Sequence, residues 1–520
     1  MRSATRPSAG TPSRGLRPIP LLPNSFAGRR RRLDKRLRRG LHLAHRWLGI
    51  LTCLLFAAWF VSGAVMMYVG FPRLSEAERR AALPPVALDR VALTPDEALA
   101  RSGLPGAPRG LALAMLDDEP VYRILEWDGA RRTVSAADGR RIEALAPERA
   151  RAVATRHPAA AAVEDLGPVL RDQWTVPQRY DPLRPFRLLA LGDPAGTRLY
   201  VSEKTGEIAL DTTRRERFWN WLGAVPHWIY LTPLRARPEL WRDVVLWVSG
   251  IAIAGAVSGV LLGLIRLRLR RRYAEGAVTP YRGWAAWHHL GGLVGGTALL
   301  TFIVSGWLSM NPNRWFSSPA PERDALERYA GSAQIPYPFD REAVARACPD
   351  LREVRFSRLD GAPLVLAACG EAPPRPCCGT PAPDRAHILA AARHLIPEAP
   401  SPRVERIEAE DAYWYGHHEA RPLPVLRLVF ADPSATWFHV DPATGEILSR
   451  MDRSARVSRW LFNGLHSLDV APLIRSRPAW DALMLGLIAG GLVIALSGTV
   501  IGWRRLRRMG TSRAARASPP

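Results

Sequence analysis

The chain has 520 residues, of which 72 are lysine or arginine and 48 are aspartate or glutamate, so its formal net charge is +24. This length can hold several domains, and so large a basic excess would suit a nucleic-acid partner. The densest arginine runs, however, adjoin apolar segments. That placement favours a membrane protein whose basic flanks mark one face of the bilayer and attract anionic lipid. We therefore expect a lipid bilayer and no nucleic acid as partner, with nucleic-acid binding as the weaker alternative.

Four apolar segments are long enough to cross the roughly 30 Å hydrocarbon core of a bilayer as helices. Membrane spans are predicted at residues 41–70, 241–266, 284–310 and 480–504. The first segment is too long for a cleaved signal peptide and lacks a small-residue cleavage site, so we interpret it as a retained anchor. Arginine runs beside the spans put both termini and the 267–283 loop in the cytoplasm.

The rest of the chain divides according to this topology. Residues 1–40 and 505–520 are predicted to be disordered cytoplasmic extensions. Two outer domains occupy 71–214 and 311–455, and each is followed by an interfacial, histidine-bearing segment, at 215–240 and 456–479. Within the outer domains the sequence predicts helices at 94–102, 147–157, 340–348 and 384–395, and a strand pair at 198–201 and 207–210.

Cysteine is sparse. Cys53 lies in the first span, whereas Cys348, Cys369, Cys377 and Cys378 lie in the second outer domain, where an oxidising compartment permits disulfides. A Cys348–Cys369 bridge is one pairing, but the sequence does not decide among the alternatives. A metal site at Cys377–Cys378 is a weaker interpretation, because adjacent cysteines lack the usual two-residue ligand spacing.

The chain matches itself at two constant offsets. An offset of 239 carries Ser258-Gly259 onto Ser497-Gly498 and His227 onto His466, and an offset of 243 carries His45 onto His288. The Val-Ser-Gly triplets at 61–63 and 304–306 also match at 243. Each half runs out of the cytoplasm and back, so the halves are parallel repeats whose equivalent residues lie at equal depth. The Ser-Gly pairs are interpreted as helix-packing positions without chemistry.

Two kinds of segment resemble a known family. Residues 436–448 (TWFHVDPATGEIL) and the preceding 413–426 (YWYGHHEARPLPVL) are similar to PepSY modules, while 45–49 (HRWLG) and 465–468 (LHSL) are similar to the histidine-bearing motifs of PepSY-associated transmembrane proteins. The resemblance spans roughly residues 40–510. The first outer domain departs from it, because 199–208 (LYVSEKTGEI) keeps the turn without the upstream paired histidines.

The resemblance implies a fold class: an α-helical membrane protein with four transmembrane helices in two parallel repeats and two α+β extracytoplasmic PepSY-like domains. It also implies a multi-pass protein of the bacterial inner membrane. The family includes proteins of iron uptake, among them diheme ferric-siderophore reductases, so an oxidoreductase of that type is the implied activity.

Four histidines occupy the duplicated positions. Imidazole is costly in lipid and tends to mark function there, and it is an axial ligand for haem iron. The two histidines of one half lie on the order of 25 Å apart by helical rise, too far to bind one iron. Pairing across the halves, His45 with His288 and His227 with His466, therefore predicts two bis-histidine haem b sites. Hydrogen bonding to lipid head groups is the alternative, and His42 and His289 rank lower as ligands.

His417 and His418 lie in the second outer domain. Solvated surface is the favoured interpretation, and contact with the substrate is the alternative. Aromatic residues at 218–230 suit an interfacial belt, and they would also suit packing on haem. No nucleotide- or flavin-binding motif occurs, so electrons would come from a membrane quinol or another protein.

The leading functional hypothesis is a diheme electron-transfer protein that reduces a ferric siderophore or other ferric chelate in the periplasm. No catalytic residue is assigned; the four histidines are assigned as haem-binding residues. The alternatives are a PepSY-mediated binding or protease-regulating membrane protein without redox activity, and a passive metal or haem carrier.

Overall fold

The computed structural model describes residues 25–104, 106–332, 335–417 and 420–517, with side chains between residues 35 and 509. The α-helices of this part of the chain are α1 (Ser25–Met66), α2 (Glu76–Ala81), α3 (Pro95–Ser102), α4 (Pro147–Thr155), α5 (Arg214–Leu222), α6 (Ala224–His227), α7 (Thr232–Arg235), α8 (Pro238–Arg266), α9 (Trp284–Ser309), α10 (Arg323–Ala330), α11 (Arg341–Ala347), α12 (Arg385–Ala392), α13 (Arg453–Arg459), α14 (Ala471–Ile474) and α15 (Arg477–Ala517).

Four of these helices are long and apolar enough to cross a membrane: α1, α8, α9 and α15. Their number confirms the four predicted spans. Within hydrocarbon a helix satisfies its own backbone polar groups, which is why these apolar runs form helices. They make a ring in which α1 and α9 each pack against both α8 and α15. A buried cluster that includes Phe60, Leu299 and Met484 lies in the interior of this bundle.

Helices α1 and α15 extend beyond the predicted spans. Helix α1 begins at Ser25, inside the segment predicted to be disordered, and α15 runs to Ala517, through most of the predicted disordered tail. Arginine has a high helix propensity, and adding residues to an existing helix costs no new nucleation, so the arginine-rich flanks continue the helices. The disorder predicted for the remaining ends, 1–24 and 518–520, falls outside the described residues.

The α+β part lies at one end of the bundle, which we call the domain side; the opposite end, which carries the 267–283 loop, is the loop side. Its strands are β1 (Gly110–Leu116), β2 (Glu119–Leu125), β3 (Arg131–Ser135), β4 (Arg141–Ile142), β5 (Glu164–Val169), β6 (Phe186–Ala190), β7 (Arg198–Ser202), β8 (Ile208–Thr212), β9 (Leu351–Leu359), β10 (Ala362–Cys369), β11 (Arg375–Pro376), β12 (Arg403–Ile407), β13 (Val425–Val429), β14 (Trp437–Val440) and β15 (Ile447–Met451).

One sheet joins the two segments that the sequence analysis treats as separate domains. Its seven strands have the order β11-β10-β9-β1-β2-β3-β4, so strands from before α8 and after α9 lie side by side. The junction is the antiparallel pair β1–β9, in which Leu113 lies opposite Val354. Pairing removes two open strand edges that would otherwise have to be protected from other chains.

Two further sheets have four strands each, in the orders β5-β6-β7-β8 and β12-β13-β14-β15. Every strand of the second begins 239 residues after its counterpart in the first. The strand pair predicted at 198–201 and 207–210 is confirmed as β7 and β8. The four predicted helices are confirmed as α3, α4, α11 and α12. Helix α3 begins with a complete capping box formed by Thr94 and Glu97.

The four extramembrane cysteines are bonded in pairs, Cys348 with Cys369 and Cys377 with Cys378. They lie at one edge of the core beneath the seven-stranded sheet. The Cys348–Cys369 bridge is thus confirmed. The metal site considered at Cys377–Cys378 is not supported, because these sulfurs are joined to each other. Cys53 is unbonded and buried in the bundle.

Candidate functional site

One histidine pair lies near the loop side of the bundle. His45 of α1 and His288 of α9 face each other across the bundle axis, with ring centroids 6.1 Å apart and ring planes inclined by 34°. Helices α1 and α9 occupy opposite corners of the four-helix ring, so residues that point inward from them meet at its centre. We call this pair the inner pair.

A second pair lies at the domain side. His227 ends α6, and His466 follows the π-helical turn Trp460–Gly464. Their ring centroids are also 6.1 Å apart, with ring planes inclined by 76°. We call this the outer pair. The structure therefore brings together the two cross-half pairs that the sequence analysis expects, and it keeps the two histidines of each half apart.

Each of the four imidazoles is held in the same way. Nδ1 lies within hydrogen-bond distance of one backbone carbonyl and one serine hydroxyl of a neighbouring helix. The carbonyls belong to Gly255 (to His45), Trp59 (to His227), Ile494 (to His288) and Phe302 (to His466), at 3.1–3.3 Å.

These contacts determine the tautomer. A carbonyl oxygen can only accept, so Nδ1 carries the proton and donates it. Each serine hydroxyl donates to a carbonyl of its own helix, as Ser258 does to Gly255 at 2.7 Å, and so it too accepts from the imidazole. The lone pair is then on Nε2, on the far side of the ring. Such hydrogen bonds orient metal-ligating histidines and increase the basicity of the ligating nitrogen.

The Ser-Gly pairs consequently do more than the helix packing that the sequence analysis assigns to them. Their serines, Ser62, Ser258, Ser305 and Ser497, supply the hydroxyls described above. Their glycines leave room for the imidazole rings: a Cβ on Gly259 would lie 2.7 Å from Cε1 of His45, and one on Gly498 would lie 3.1 Å from Cε1 of His288. The sequence shows that these serines are duplicated, as the histidines are, but it does not show that the two contact each other.

The outer pair opens into a cavity of about 630 Å³ within the bundle. Its walls are mostly aromatic and aliphatic, including Trp59, Phe302 and Met484. A concave, apolar site with a few convergent polar groups is typical of cofactor sites. Burial, and then the neighbouring His466, lower the pKa of His227 to about 4. Burial also lowers the pKa of His466. Both rings are therefore neutral near pH 7, as metal ligands must be.

The spacing of the pairs fits haem. An imidazole nitrogen lies about 2 Å from a metal that it ligates, and the ring centre lies about 1 Å further, so two rings on opposite faces of one iron have centroids about 6 Å apart. A bare ion such as Zn²⁺ would need about four protein ligands. Among the described residues no group of three or more His, Cys, Asp or Glu is placed to hold a metal ion. Two imidazoles suffice for haem, because the porphyrin supplies the other four nitrogens.

The remaining candidate histidines differ from these four. Both ring nitrogens of His289 are engaged, with Thr279 Oγ1 at 2.8 Å and Gly263 O at 2.9 Å, which explains its burial without a ligand. His42 lies near the surface, with Nε2 3.2 Å from an Arg266 guanidinium nitrogen. His418 lies outside the described residues.

The sequence favours solvated surface for His417, and the structure places this residue elsewhere. It lines the same cavity as the outer pair. Its Nδ1 lies 2.9 Å from Oδ1 of Asp469, and its ring packs edge-on against Trp480. Nothing in the sequence marks Asp469, because its partner lies 52 residues away and only the fold brings the two together.

Four membrane-spanning helices, an attached α+β part and two facing histidine pairs define a multi-pass membrane protein built around paired imidazoles. The chain belongs to the family of PepSY-associated transmembrane proteins. The family model, described as a PepSY-associated TM region, matches residues 42–343, more than half of the chain. The matched region includes His45, His227 and His288. A search of curated proteins and a search of solved structures each found no match.

Proposed function

We propose that this protein is a diheme electron-transfer protein, with one haem b held by His45 and His288 and a second held by His227 and His466. The observation that carries the proposal is the common arrangement of the four imidazoles: two facing pairs, each ring with Nδ1 held by a carbonyl and a serine. When bound, haem iron alternates between its ferric and ferrous forms and so carries one electron at a time. The chain's own part is to hold and orient the ligands and to enclose them in an apolar bundle.

The two sites lie at different depths. His45 contacts the loop-side half of α8, whereas Ser62, 17 residues further along α1, contacts His227. At about 1.5 Å per residue this corresponds to roughly 25 Å along the helix axis. Two sites stacked at that separation reach from one side of a bilayer to the other, which is the arrangement that transmembrane electron transfer requires.

We also propose that the halves are parallel repeats of one unit and that the two four-stranded α+β units are PepSY-like modules. Support comes from the constant 239-residue displacement of their strands. The cavity supplies further support: the indole nitrogen of Trp241 donates to Trp228 O at 2.9 Å, and that of Trp480 donates to Ser467 O at 2.7 Å. Both residues of the second bond lie 239 positions after those of the first.

The proposed location is the bacterial inner membrane, with both termini in the cytoplasm and the α+β part in the periplasm. Support comes from the dense arginine runs beside the spans, at Arg270–Arg272 and Arg504–Arg508, which lie on the loop side. The proposed acceptor is a ferric siderophore or another ferric chelate, as the family resemblance implies. Its reduction would weaken chelation, because hard oxygen ligands hold ferrous iron less tightly. The proposed donor is a membrane quinol or another protein.

An optical spectrum of the purified protein tests the proposal. We expect a low-spin b-type spectrum after reduction and two haems per chain, because both pairs offer two facing imidazoles. A folded protein without this spectrum would contradict the proposal. That outcome would leave the PepSY-like modules as binding or protease-regulating units anchored by the four helices.

A further inference from the structure

The cavity of the outer pair has two walls that differ in chemistry. One wall comes from the second half of the chain and carries His417 and Trp480; the other comes from the first half and carries Tyr230 and Trp241. Trp480 and Trp241 are equivalent at the 239-residue offset. At the same offset His417 corresponds to Gln178, and Asp469 corresponds to Tyr230. An ionisable pair in one half thus replaces an amide and a phenol in the other.

Asp469 lies next to His417 and is only 1% exposed. Its Oδ1 lies 2.9 Å from Nδ1 of His417, and its Oδ2 accepts from the hydroxyl of Tyr415 at 2.8 Å. The guanidinium of Arg459 donates to the backbone carbonyl of Asp469 and stacks on the ring of Tyr415. With Nδ1 beside this buried carboxylate, the opposite edge of the imidazole, which carries Nε2, is directed away from Asp469.

The segment 411–417, which ends in His417, is held in place by its own contacts without a ligand. The ring of Trp414 stacks on the buried ring of His439, with centroids 4.7 Å apart. Asp411 accepts hydrogen bonds from the backbone nitrogens of Tyr413 and Trp414 at 2.7–2.8 Å. The ring of His417 then packs edge-on against Trp480, near the start of α15 and hence at the domain-side rim of the cavity. This is preorganisation of the kind that a proton-transfer group needs.

The opposite wall offers no comparable group at the equivalent position. The side-chain oxygen of Gln178 accepts from Arg235 at 3.0 Å, and the ring of Tyr230 is packed among Phe71, Trp228 and Trp241. An amide cannot donate a proton at neutral pH. The equivalent positions in the two halves therefore differ in their capacity for proton transfer.

We infer that His417, positioned by Asp469, donates a proton to an anionic oxygen ligand of the ferric chelate bound at the domain-side rim of the cavity. This inference rests on the proposed function. The iron gains one electron from the reduced protein and becomes ferrous, and the iron–oxygen bond breaks with its electron pair left on oxygen. The Nε2–H bond of the His417 imidazolium breaks, its electron pair stays on nitrogen, and the proton forms the new O–H bond. Protonation prevents the released oxygen from binding the iron again.

Two oxidants separate proton donation from electron delivery. Ferric tris(acetohydroxamate) has anionic oxygen ligands that must be protonated for release, whereas hexacyanoferrate(III) accepts an electron and keeps its ligands. The haem-loaded protein is reduced with dithionite, freed of excess reductant and mixed with either oxidant in a stopped-flow spectrometer. The variants are His417→Ala, His417→Gln and Asp469→Asn, with Gln178→Ala as the matched control in the first half.

We expect His417→Ala to slow reoxidation by the hydroxamate roughly tenfold or more, since general acid catalysis contributes about 10²- to 10⁴-fold. His417→Gln keeps a hydrogen-bond donor but has no proton to transfer, so it should be similarly slow. Asp469→Asn should slow the same reaction to a lesser degree, and Gln178→Ala should not. Rates with hexacyanoferrate(III) should stay within about twofold of wild type in every variant, because no ligand is protonated.

A His417→Gln protein that reacts with the hydroxamate as fast as wild type would overturn the inference, because hydrogen bonding alone would then suffice. Equal slowing with both oxidants would overturn it as well, since the defect would lie in electron delivery. Failure of the proposed function looks different: the wild-type protein would then bind no haem, or would be oxidised by hexacyanoferrate(III) but not by the hydroxamate.

Discussion

His227 and His466 lie 239 residues apart in the chain, yet their imidazole rings face each other at 6.1 Å across the domain side of the bundle. His45 and His288 repeat this relationship at the loop side at the same separation. In both pairs the two rings come from different halves of the chain, while the serine that holds each ring comes from its own half. Neither half can build a two-imidazole site alone.

Substitution of either histidine of one pair should therefore remove the same haem. His45→Ala and His288→Ala should each abolish the inner low-spin signal, and His227→Ala and His466→Ala the outer one, because iron held from one side becomes high-spin or is lost. Absorption and electron paramagnetic resonance spectra of the four variants provide the measurement. His42→Ala is the control and should keep both signals. Different haems lost from His45→Ala and His288→Ala would refute the cross-half pairing.

A single methyl group on Gly259 should damage the inner site without replacing either proposed ligand. Its Cβ would lie 2.7 Å from Cε1 of His45, inside van der Waals contact, so the imidazole has to move. We expect Gly259→Ala to lose or weaken the inner haem and to keep the outer one, as measured by the haem-to-protein ratio. Gly250→Ala on the same helix is the matched control, since no atom lies within 4 Å of its Cβ. Equal haem content in the two variants would contradict the close approach of α8 to His45.

Electron delivery to the acceptor should require the outer pair, whereas reduction of the inner haem should not. In His466→Ala the inner haem should still be reduced by a quinol or a cytoplasmic-side donor. Reoxidation by a ferric siderophore should nevertheless fall by at least about an order of magnitude, because the remaining site lies roughly 25 Å deeper. Stopped-flow spectra of the prereduced protein provide the measurement. Reoxidation at the wild-type rate would place the outer pair off the path to the acceptor.

Reporter fusions should locate the two sides of the membrane. Fusions after Arg272 and after Arg508 should report the cytoplasm, and fusions near Pro147 and Pro400 should report the periplasm, because the arginine runs adjoin the loop side. Alkaline phosphatase and fluorescent-protein activities give opposite readings at each site. A periplasmic signal at Arg272 would reverse the topology, and the proposed direction of electron transfer with it.

Lowering the pH should weaken the contact between α2 and the seven-stranded sheet. Glu353 of β9 is buried and pairs with Arg79 at 2.8 Å and with Arg355 at 2.9 Å. Burial alone would raise the pKa of its carboxyl, but Arg79 and Arg355 outweigh burial and lower the pKa to about 2. Because the unfolded value is about 4.3, the stabilisation is complete above that pH and is lost as the pH falls through about 2.

Thermal unfolding of the solubilised protein between pH 7 and pH 2 measures this effect. Glu353→Gln should cost about 3 kcal/mol at neutral pH, since Arg79 and Arg355 lose their buried carboxylate partner and keep only the exposed carboxylate of Glu76. It should also flatten the decline of the melting temperature in acid. Glu143→Gln is the control: that carboxylate is exposed and 3.8 Å from Arg141, so its loss should change stability by less than about 0.5 kcal/mol. If the melting temperature of Glu353→Gln fell with pH as steeply as that of the wild type, groups other than Glu353 would be responsible for the fall.

The membrane helices and the pairing of the four histidines with one another could be predicted from the amino-acid sequence alone. Both follow from strong signals: hydrocarbon requires long apolar helices, and the duplication places equivalent residues at equal depth. Helix α3 could also be predicted, because the capping box of Thr94 and Glu97 involves only a few adjacent residues.

Features that depend on distant residues emerged only in the folded protein. The β1–β9 junction pairs Leu113 with Val354, and nothing in either strand specifies which free edge it will meet. The serine contacts of the imidazoles depend on how the helices are rotated about their axes, which side-chain packing decides. The His417–Asp469 pair depends on a loop and an interfacial segment that meet only after both have folded, because a contact between distant residues leaves no periodic pattern in the chain.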